Sequence, residues 1–434
     1  MSDVVVVGGG LAGCWAAATA AASGARVTLV RRALGATATS AGPIDFVPPA
    51  EAADPAAWLA RLPRSTPEHP YVASGASPAL EELEAEAERL GLALAAAGLP
   101  LRVSLRAPLL LGAITGQARF AGVAPETQAA GDLGRAAGRT VAVAGIAGLA
   151  RFDPGAVAAA LDERRLGWPA PLRAVALQVS PDLPGIPAGV TGDLDDATLA
   201  RALEAPDGAE ALGEAVAAAR PPAAELVLLP AVLGLDDPES VARRVAGAAG
   251  VAVAELLTSP PSAPGWRLQR ACDRLLADAG VQLVTAPVTG IRVEAGSAAA
   301  VTVAGGAELP CDAVILATGK YLGGGILADP RPREPLLDLP LFSRGVPVSR
   351  LALRDLVERA RFREQPFASL GVRTDGHGTP VDEFGHAAVA NLTACGDLLA
   401  GLDPTLSGGG LGVVAWTATR AARTALRSVG AAAA

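Results

Sequence analysis

Histidine is scarce in this 434-residue chain, where His69, His377 and His386 are the full complement. Three scattered imidazoles build no ligand cluster, so no metal centre is expected. Cysteine is nearly as sparse, and Cys14, Cys272, Cys311 and Cys395 include no C-x-x-C pair. That spacing excludes a locally encoded zinc or iron–sulfur site and reads as the reduced thiols of a cytosolic protein. If electrons leave through a cluster, another chain carries it. Basic charge is also short, with 36 Lys and Arg against 44 Asp and Glu and a net charge of −8. Nucleic acid is excluded as a partner, because neutralising phosphates takes a clustered basic surface. A secretion signal is missing, since the acid Asp3 stands where a basic region would open one. Residues 4–30 are apolar enough to tempt a membrane-span reading, but Gly8, Gly9, Gly10, Gly13, Gly24 and Arg26 interrupt them. No direct membrane insertion is expected. The protein is expected in the cytoplasm, reaching the inner face of the membrane only through a partner.

What the chain does have is apolar residues, 51% of the total, with 18% charged, and a length that suits two or three domains. Its first informative stretch is the apolar run Val4–Val7 entering Gly8-Gly9-Gly10-Leu11-Ala12-Gly13. Gly8, Gly10 and Gly13 are spaced G-x-G-x-x-G ahead of an alanine-rich helix, and the strand Ala25–Val30 follows on the schedule of a β-α-β unit. The outer glycines allow the tight turn and close helix–sheet packing, and the middle one admits a pyrophosphate to the backbone. A helix start placed there aims free N–H groups and a positive dipole end at that phosphate. The turn therefore reads as a nucleotide cradle that includes Leu11 and Ala12.

Two further elements change which nucleotide it holds. Asp312 to Gly319 reads as a buried strand opening on Ala317-Thr318-Gly319, a turn that brings backbone close to a nucleotide. Near the end, Ala394-Cys395-Gly396-Asp397 is followed by a glycine loop and a closing helix from about Leu411. Asp397 suits the ribityl hydroxyls, and Gly409, Gly410, Leu411 and Gly412 allow close approach to a flat ring. The helix behind them points its positive end at the negative charge of a reduced flavin. A nicotinamide enzyme needs no such third element, so the reading moves to flavin. One position resists: Arg31 and Arg32 stand where a ribose-binding acid is expected. Three readings stay open there: the ribose is held otherwise, the arginines meet a 2′-phosphate, or the cofactor is FMN. FAD is the expected cofactor and FMN its close alternative. In Thr39–Asp45, Ser40 and Gly42 suit contact with the phosphate or ring, against the alternative of a plain polar loop.

The fold class is α/β, a Rossmann-like two-half flavoprotein fold with an inserted α/β second domain. Residues 1–47, 262–343 and 387–434 are expected to form the flavin domain, and 48–261 with 344–386 the insertion. The insertion carries strand candidates at Val141–Ala144, Ala174–Val179 and Glu225–Leu229. Its helix candidate, Pro78 to Leu90, holds Glu81, Glu82, Glu84, Glu86 and Glu88, which read as a solvated face.

Several motifs narrow the family. They are G-G-G-L-A-G at 8–13, S-A-G-P-I-D at 40–45, L-P-A-V-L-G-L at 229–235 and P-P-S-A-P-G-W-R-L-Q at 260–269. A-T-G-K-Y-L-G-G-G at 317–325 and N-L-T-A-C-G-D-L-L-A-G-L-D-P through the helix start at 391–412 complete the set. Together, in this order, they resemble the B subunit of anaerobic glycerol-3-phosphate dehydrogenase. The resemblance implies a flavin subunit that works with a catalytic A subunit and a membrane-associated iron–sulfur C subunit. The implied reaction oxidises sn-glycerol 3-phosphate to dihydroxyacetone phosphate, with electrons passing to a quinone. That family is usually described with FMN on the B subunit. Hydride loss from the carbinol needs a base near neutrality, for which His377 is the candidate with His386 behind it. Arg350 and Arg373 are the candidates for the substrate phosphate. The alternatives are a stand-alone FAD oxidoreductase of the succinate/fumarate or ketosteroid type, and a non-catalytic flavin relay subunit.

Overall fold

Short runs of branched and small residues pair side by side into a parallel sheet, of which the strands Asp3–Val7, Ala313–Leu316 and Leu392–Ala394 are buried on both faces. Its order is Gln282–Thr285, Arg26–Arg31, Asp3–Val7, Ala313–Leu316, Leu392–Ala394. All neighbours run parallel, with Val7 opposite both Val30 and Leu316, and Leu316 opposite Ala394. The computed structural model describes the chain except residues 1–2, 74, 76, 137, 163–171, 188, 190–191, 193, 261, 361–362, 404–409 and 433–434.

The chain divides into two compact units, of which the first holds residues 1–37, 44–97 and 269–434. In it, the helix Leu11–Ala22 is apolar all round and almost wholly buried, its alanines allowing close approach of the C-terminal helix Leu411–Ala432. A three-stranded antiparallel sheet, Val288–Glu294, Ser297–Val303 and Glu308–Pro310, falls in sequence between the strands Gln282–Thr285 and Ala313–Leu316.

The second unit holds residues 38–43 and 98–268. Its own parallel sheet runs Ala252–Glu255, Ala224–Leu229, Thr140–Ile146, Arg173–Val179. The helix Pro238–Ala249 shows why such elements form where they do. Asp237 caps it by accepting the Ser240 N–H at 3.1 Å, Pro238 occupies the first turn, and Gly250 ends it at φ +61°.

These units differ from the expected domain boundaries. Residues 48–97 and 344–386 fall in the first unit, not with the insertion. The helix Leu80–Ala96 is held there by Glu86, which is buried and accepts from Trp15 Nε1 and Thr419 Oγ1, each at 2.7 Å. Arg89 completes the set with an ion pair to Glu86 at 2.5 Å. The glutamate run is thus a solvated face at Glu81, Glu82 and Glu88 but an internal anchor at Glu86. The 371–381 loop is bound to the main sheet through Ala394 N–H to Gly378 O at 2.9 Å and Ala400 N–H to Val372 O at 2.9 Å.

An aromatic knot in the first unit buries a titratable group. His69 is 7% exposed, its Nδ1 accepts the Tyr71 N–H at 3.2 Å, and its ring centroid lies 4.9 Å from Tyr71 and 5.7 Å from Trp58. Burial disfavours the imidazolium and brings its pKa down from 6.5 to about 4. The folded state therefore binds this proton less readily than the unfolded chain. The contribution is complete above pH 6.5 and is lost as pH falls toward 4. The shift amounts to about 3 kcal/mol at most. His69→Phe should flatten the fall in melting temperature between about pH 7 and pH 4 relative to the unsubstituted protein. Parallel curves for the two proteins would refute the assignment.

Candidate functional site

The carboxyl ends of parallel strands are where an open α/β sheet binds its ligand. Three of those ends meet here because glycines remove the atoms that would keep them apart. Gly8 has φ +124°, and a Cβ on it would lie 2.1 Å from Ala317 O, at the end of the strand Ala313–Leu316. A Cβ on Gly13 would lie 1.8 Å from Gly8 O. Gly396, after the strand Leu392–Ala394, has φ +76° and would place a Cβ 2.6 Å from Ala12 Cβ. The first, second and third sequence elements thus converge on the opening turn of the helix Leu11–Ala22.

Gly10 is a different case. A Cβ there would meet only Thr37 Oγ1, at 3.2 Å. The chain's own packing obstructs a side chain there far less than at Gly8, Gly13 or Gly396. Thr37 Oγ1 accepts the Leu11 N–H at 2.8 Å, and Gly10 supplies no side-chain cap. Thr37 carried no sequence signal beyond its place in a small polar loop. Around the second turn, Gly319 has φ +68°. The Thr318 hydroxyl is buried and has no partner among the described residues. An open cradle at a helix start and an orphaned hydroxyl beside it fit a dinucleotide.

The third element carries a buried charge pair. Lys320 is 5% exposed, and its Nζ donates to Ala368 O at 2.8 Å and to Leu402 O. It also pairs with Asp397 Oδ1 at 3.3 Å. Burial pushes the Lys320 ammonium down and the Asp397 carboxyl up from their ordinary values, each opposed by the other's charge. Sequence reasoning picked Asp397 and missed Lys320, which stands inside a quoted motif with no pattern of its own. Gly412 is explained by packing: its N–H donates to Asp45 O at 3.0 Å, and a Cβ would lie 2.5 Å from that oxygen. Gly410 accepts the Val414 N–H at 3.0 Å through its carbonyl, and Leu411 opens the C-terminal helix. Gly409 lies outside the described residues.

Other expected site residues have different duties. Arg31 is bound to Asp273 at 2.5 and 3.3 Å, and its methylenes lie under Gly9, so its charge is not aimed at a ligand phosphate. Arg32 is exposed, with its guanidinium near Gly324. Ser40 and Gly42 group with the second unit. Ser40 Oγ accepts the Gly42 N–H at 3.2 Å, and a Cβ on Gly42 (φ +120°) would lie 2.0 Å from Gln128 Oε1. Gln128 Nε2 donates to Ala41 O at 2.8 Å, and Ser262 Oγ donates to Ser40 O. Two family motifs meet in the same unit around a buried pair, Arg267 with Glu255 at 2.6 and 2.9 Å. Glu255 also accepts from Thr127 Oγ1 and Leu233 N–H, each at 2.7 Å, and Arg267 Nε donates to Gly234 O at 2.8 Å.

The proposed catalytic set does not assemble. His377 is exposed in a turn where Asp375 Oδ1 accepts its backbone N–H at 2.8 Å. His386 is an exposed partner of Asp382 at 3.4 Å, and Arg350 is 60% exposed and paired with Glu383 at 3.0 Å. Arg373 alone is held inward, over the Phe342 ring at 4.3 Å, with Nη2 donating to Asp382 O at 3.2 Å. Its charge acts on Glu68, whose carboxyl is pushed up by burial and drawn back by Arg344 and Arg373. The Glu68 backbone packs on Gly401, whose added Cβ would lie 2.1 Å from Glu68 O.

A family described as an FAD binding domain matches residues 3–413. The chain is 30% identical to the B subunit of anaerobic glycerol-3-phosphate dehydrogenase from Yersinia pestis over 437 residues, covering 95% of each. It is 33% identical over 434 residues to the probable B subunit of the same enzyme from Halobacterium salinarum, again covering 95% of each. The chain belongs to this FAD-binding family of B subunits. FAD is its cofactor. Among solved structures the chain is similar to 3-ketosteroid Δ1-dehydrogenase from Sterolibacterium denitrificans, at 12% identity and TM-score 0.45 over 99% of each chain.

The two kinds of glycine in the turn should separate by experiment. Gly10→Ala should lower the melting temperature of the apoprotein far less than Gly13→Ala and weaken FAD binding at least tenfold, read by quenching of flavin fluorescence. Gly13→Ala should fail at the level of folding. Equal FAD affinity for Gly10→Ala and the parent would remove Gly10 from the cradle.

Proposed function

We propose that this flavoprotein oxidises sn-glycerol 3-phosphate to dihydroxyacetone phosphate and passes the electrons, through a partner iron–sulfur subunit, to a respiratory quinone. The observation that carries the reading is the match to named B subunits across 95% of both chains. The cysteine spacing supports the division of labour, since this chain encodes no local cluster motif. No helix among the described residues is long and apolar enough to cross a membrane, so membrane association would come through a partner.

The bound flavin supplies the acceptor for the carbinol hydride. The chain must then take the hydroxyl proton and hold the phosphate. Glu68 is the group suited to the proton, in place of His377. Its burial lifts its pKa toward the working range of a general base. Arg373, held inward over the Phe342 ring and acting on the Glu68 carboxyl through its charge, is suited to the substrate phosphate. Asp397, held by Lys320, presents a carboxylate for the ribityl hydroxyls.

Anaerobic addition of glycerol 3-phosphate to the FAD-loaded protein should bleach its visible flavin band. Bleaching only after the partner chain is added would assign this protein the relay role, and none in either case would refute the proposed substrate. Glu68→Gln should slow the reduction roughly 10²–10⁴-fold with FAD content unchanged. In the parent protein the rate should rise with pH through a pKa above the ordinary glutamate value, because only the ionised carboxylate accepts the proton. A pH-independent ratio between parent and Glu68→Gln would count against Glu68.

A further inference from the structure

The dinucleotide fold reads the adenosine ribose with an acid at the end of its second strand. This chain ends that strand on Arg31. The reversal of charge poses a physical problem, because a cation cannot accept the ribose hydroxyl protons. The structure shows where an acid has come from instead. Asp273, on the helix Ala263–Asp278, is bound by both terminal nitrogens of Arg31, Nη1 to Oδ1 at 2.5 Å and Nη2 to Oδ2 at 3.3 Å. Arg31 is itself locked, with a side chain 12% exposed and its methylenes filling the space beneath Gly9. The Asp273 side chain stays 37% exposed. Oδ1 takes a second bond from Gln269 Nε2 at 3.2 Å, whereas Oδ2 has only the longer contact to Arg31. A carboxylate oxygen has about two lone-pair sites, so Oδ2 retains accepting capacity.

A second observation places a ligand beside it. Gln269 is 1% exposed, and its Nε2 donates to Gly9 O at 3.1 Å as well as to Asp273. Its Oε1 is buried with no partner among the described residues. Burying an amide oxygen without a donor is unfavourable, and this one sits on the glycine turn that receives the cofactor. We propose that Asp273, positioned by Arg31 and Gln269, is the carboxylate that holds the ribose hydroxyls of the FAD adenosine. The acid has moved from the strand to the neighbouring helix, and the arginine at the strand end carries it. This arrangement also disfavours a 2′-phosphate, since Asp273 neutralises the arginine that would attract one.

The inference rests on FAD being the cofactor, and the test separates the two. Apoprotein is titrated with FAD, with FMN and with FAD carrying 2′-deoxyadenosine, by quenching of flavin fluorescence. The parent protein should prefer FAD to FMN and to the deoxy analogue by at least tenfold each. Asp273→Asn, which keeps the size and a bond to Arg31, should lose at least tenfold in FAD affinity while FMN affinity stays the same. Its discrimination against the deoxy analogue should shrink accordingly. Equal losses for FAD and FMN would mean that Asp273 only shapes the glycine turn, and unchanged FAD affinity would remove it from the site. A parent protein that binds FMN as tightly as FAD would instead overturn the adenosine subsite itself. Asp273→Ala with its melting temperature checks that a loss in the asparagine variant is not a folding defect.

Discussion

The flavin unit depends on a set of close approaches that only missing atoms allow. Ala317 O, Gly8, Gly13, Ala12 and Gly396 occupy a volume in which a single added methyl would overlap its neighbours. Because the ends of three strands are pressed onto the first turn of one helix, backbone from three distant parts of the chain is brought to one place. Each depends on the others: a shift at Gly396 moves Asp397, and a shift at Gly8 moves the Thr318 hydroxyl. The site is precise because it is built from rigid strand ends, and small residues set how near they come.

Charged side chains do two different jobs in this protein. The Arg267–Glu255 pair in the second unit is fully enclosed and its oxygens are all occupied by donors. Such a pair adds little net stability but costs about 3–5 kcal/mol if one half is removed. Glu86 plays the same part between Trp15, Arg89 and Thr419. Lys320–Asp397 and Arg31–Asp273 are built otherwise, with a buried cation and an acid that is 30% and 37% exposed. In each, the cation is engaged by the protein and the carboxylate stays partly exposed. The buried lysine and arginine serve as mounts for acids. This asymmetry distinguishes the two partly exposed pairs from the enclosed ones that hold the fold.

Those differences bear on how far the primary structure could be read. The glycine turn at 8–13, the strand that opens on Thr318 and the strand that ends on Gly396 were legible, because each is encoded in consecutive residues whose backbone requirements are local. The motifs at 229–235 and 260–269 were legible as a family signature but not as a task. Their task is to close one ion pair between Glu255 and Arg267 and to clamp the 40–42 loop through Ser262. Ser40 and Gly42 thus carry loop-supporting contacts that their own stretch of sequence did not announce. His377 drew attention as a rare imidazole in a loop, yet it stands exposed to solvent.

From the sequence alone came the nucleotide-binding turn, the flavin-type third element, the α/β class and the family, because these depend on neighbours within a few residues. Tertiary structure alone decided what Arg31 does. Its partner lies 242 residues away, and a charge acquires its meaning from whichever opposite charge folding brings within hydrogen-bond reach. The same holds for Glu86, buried by contacts 71 and 333 residues distant. Local backbone chemistry is written in order along the chain, whereas the electrostatic environment of a side chain exists only once the strands and helices have met.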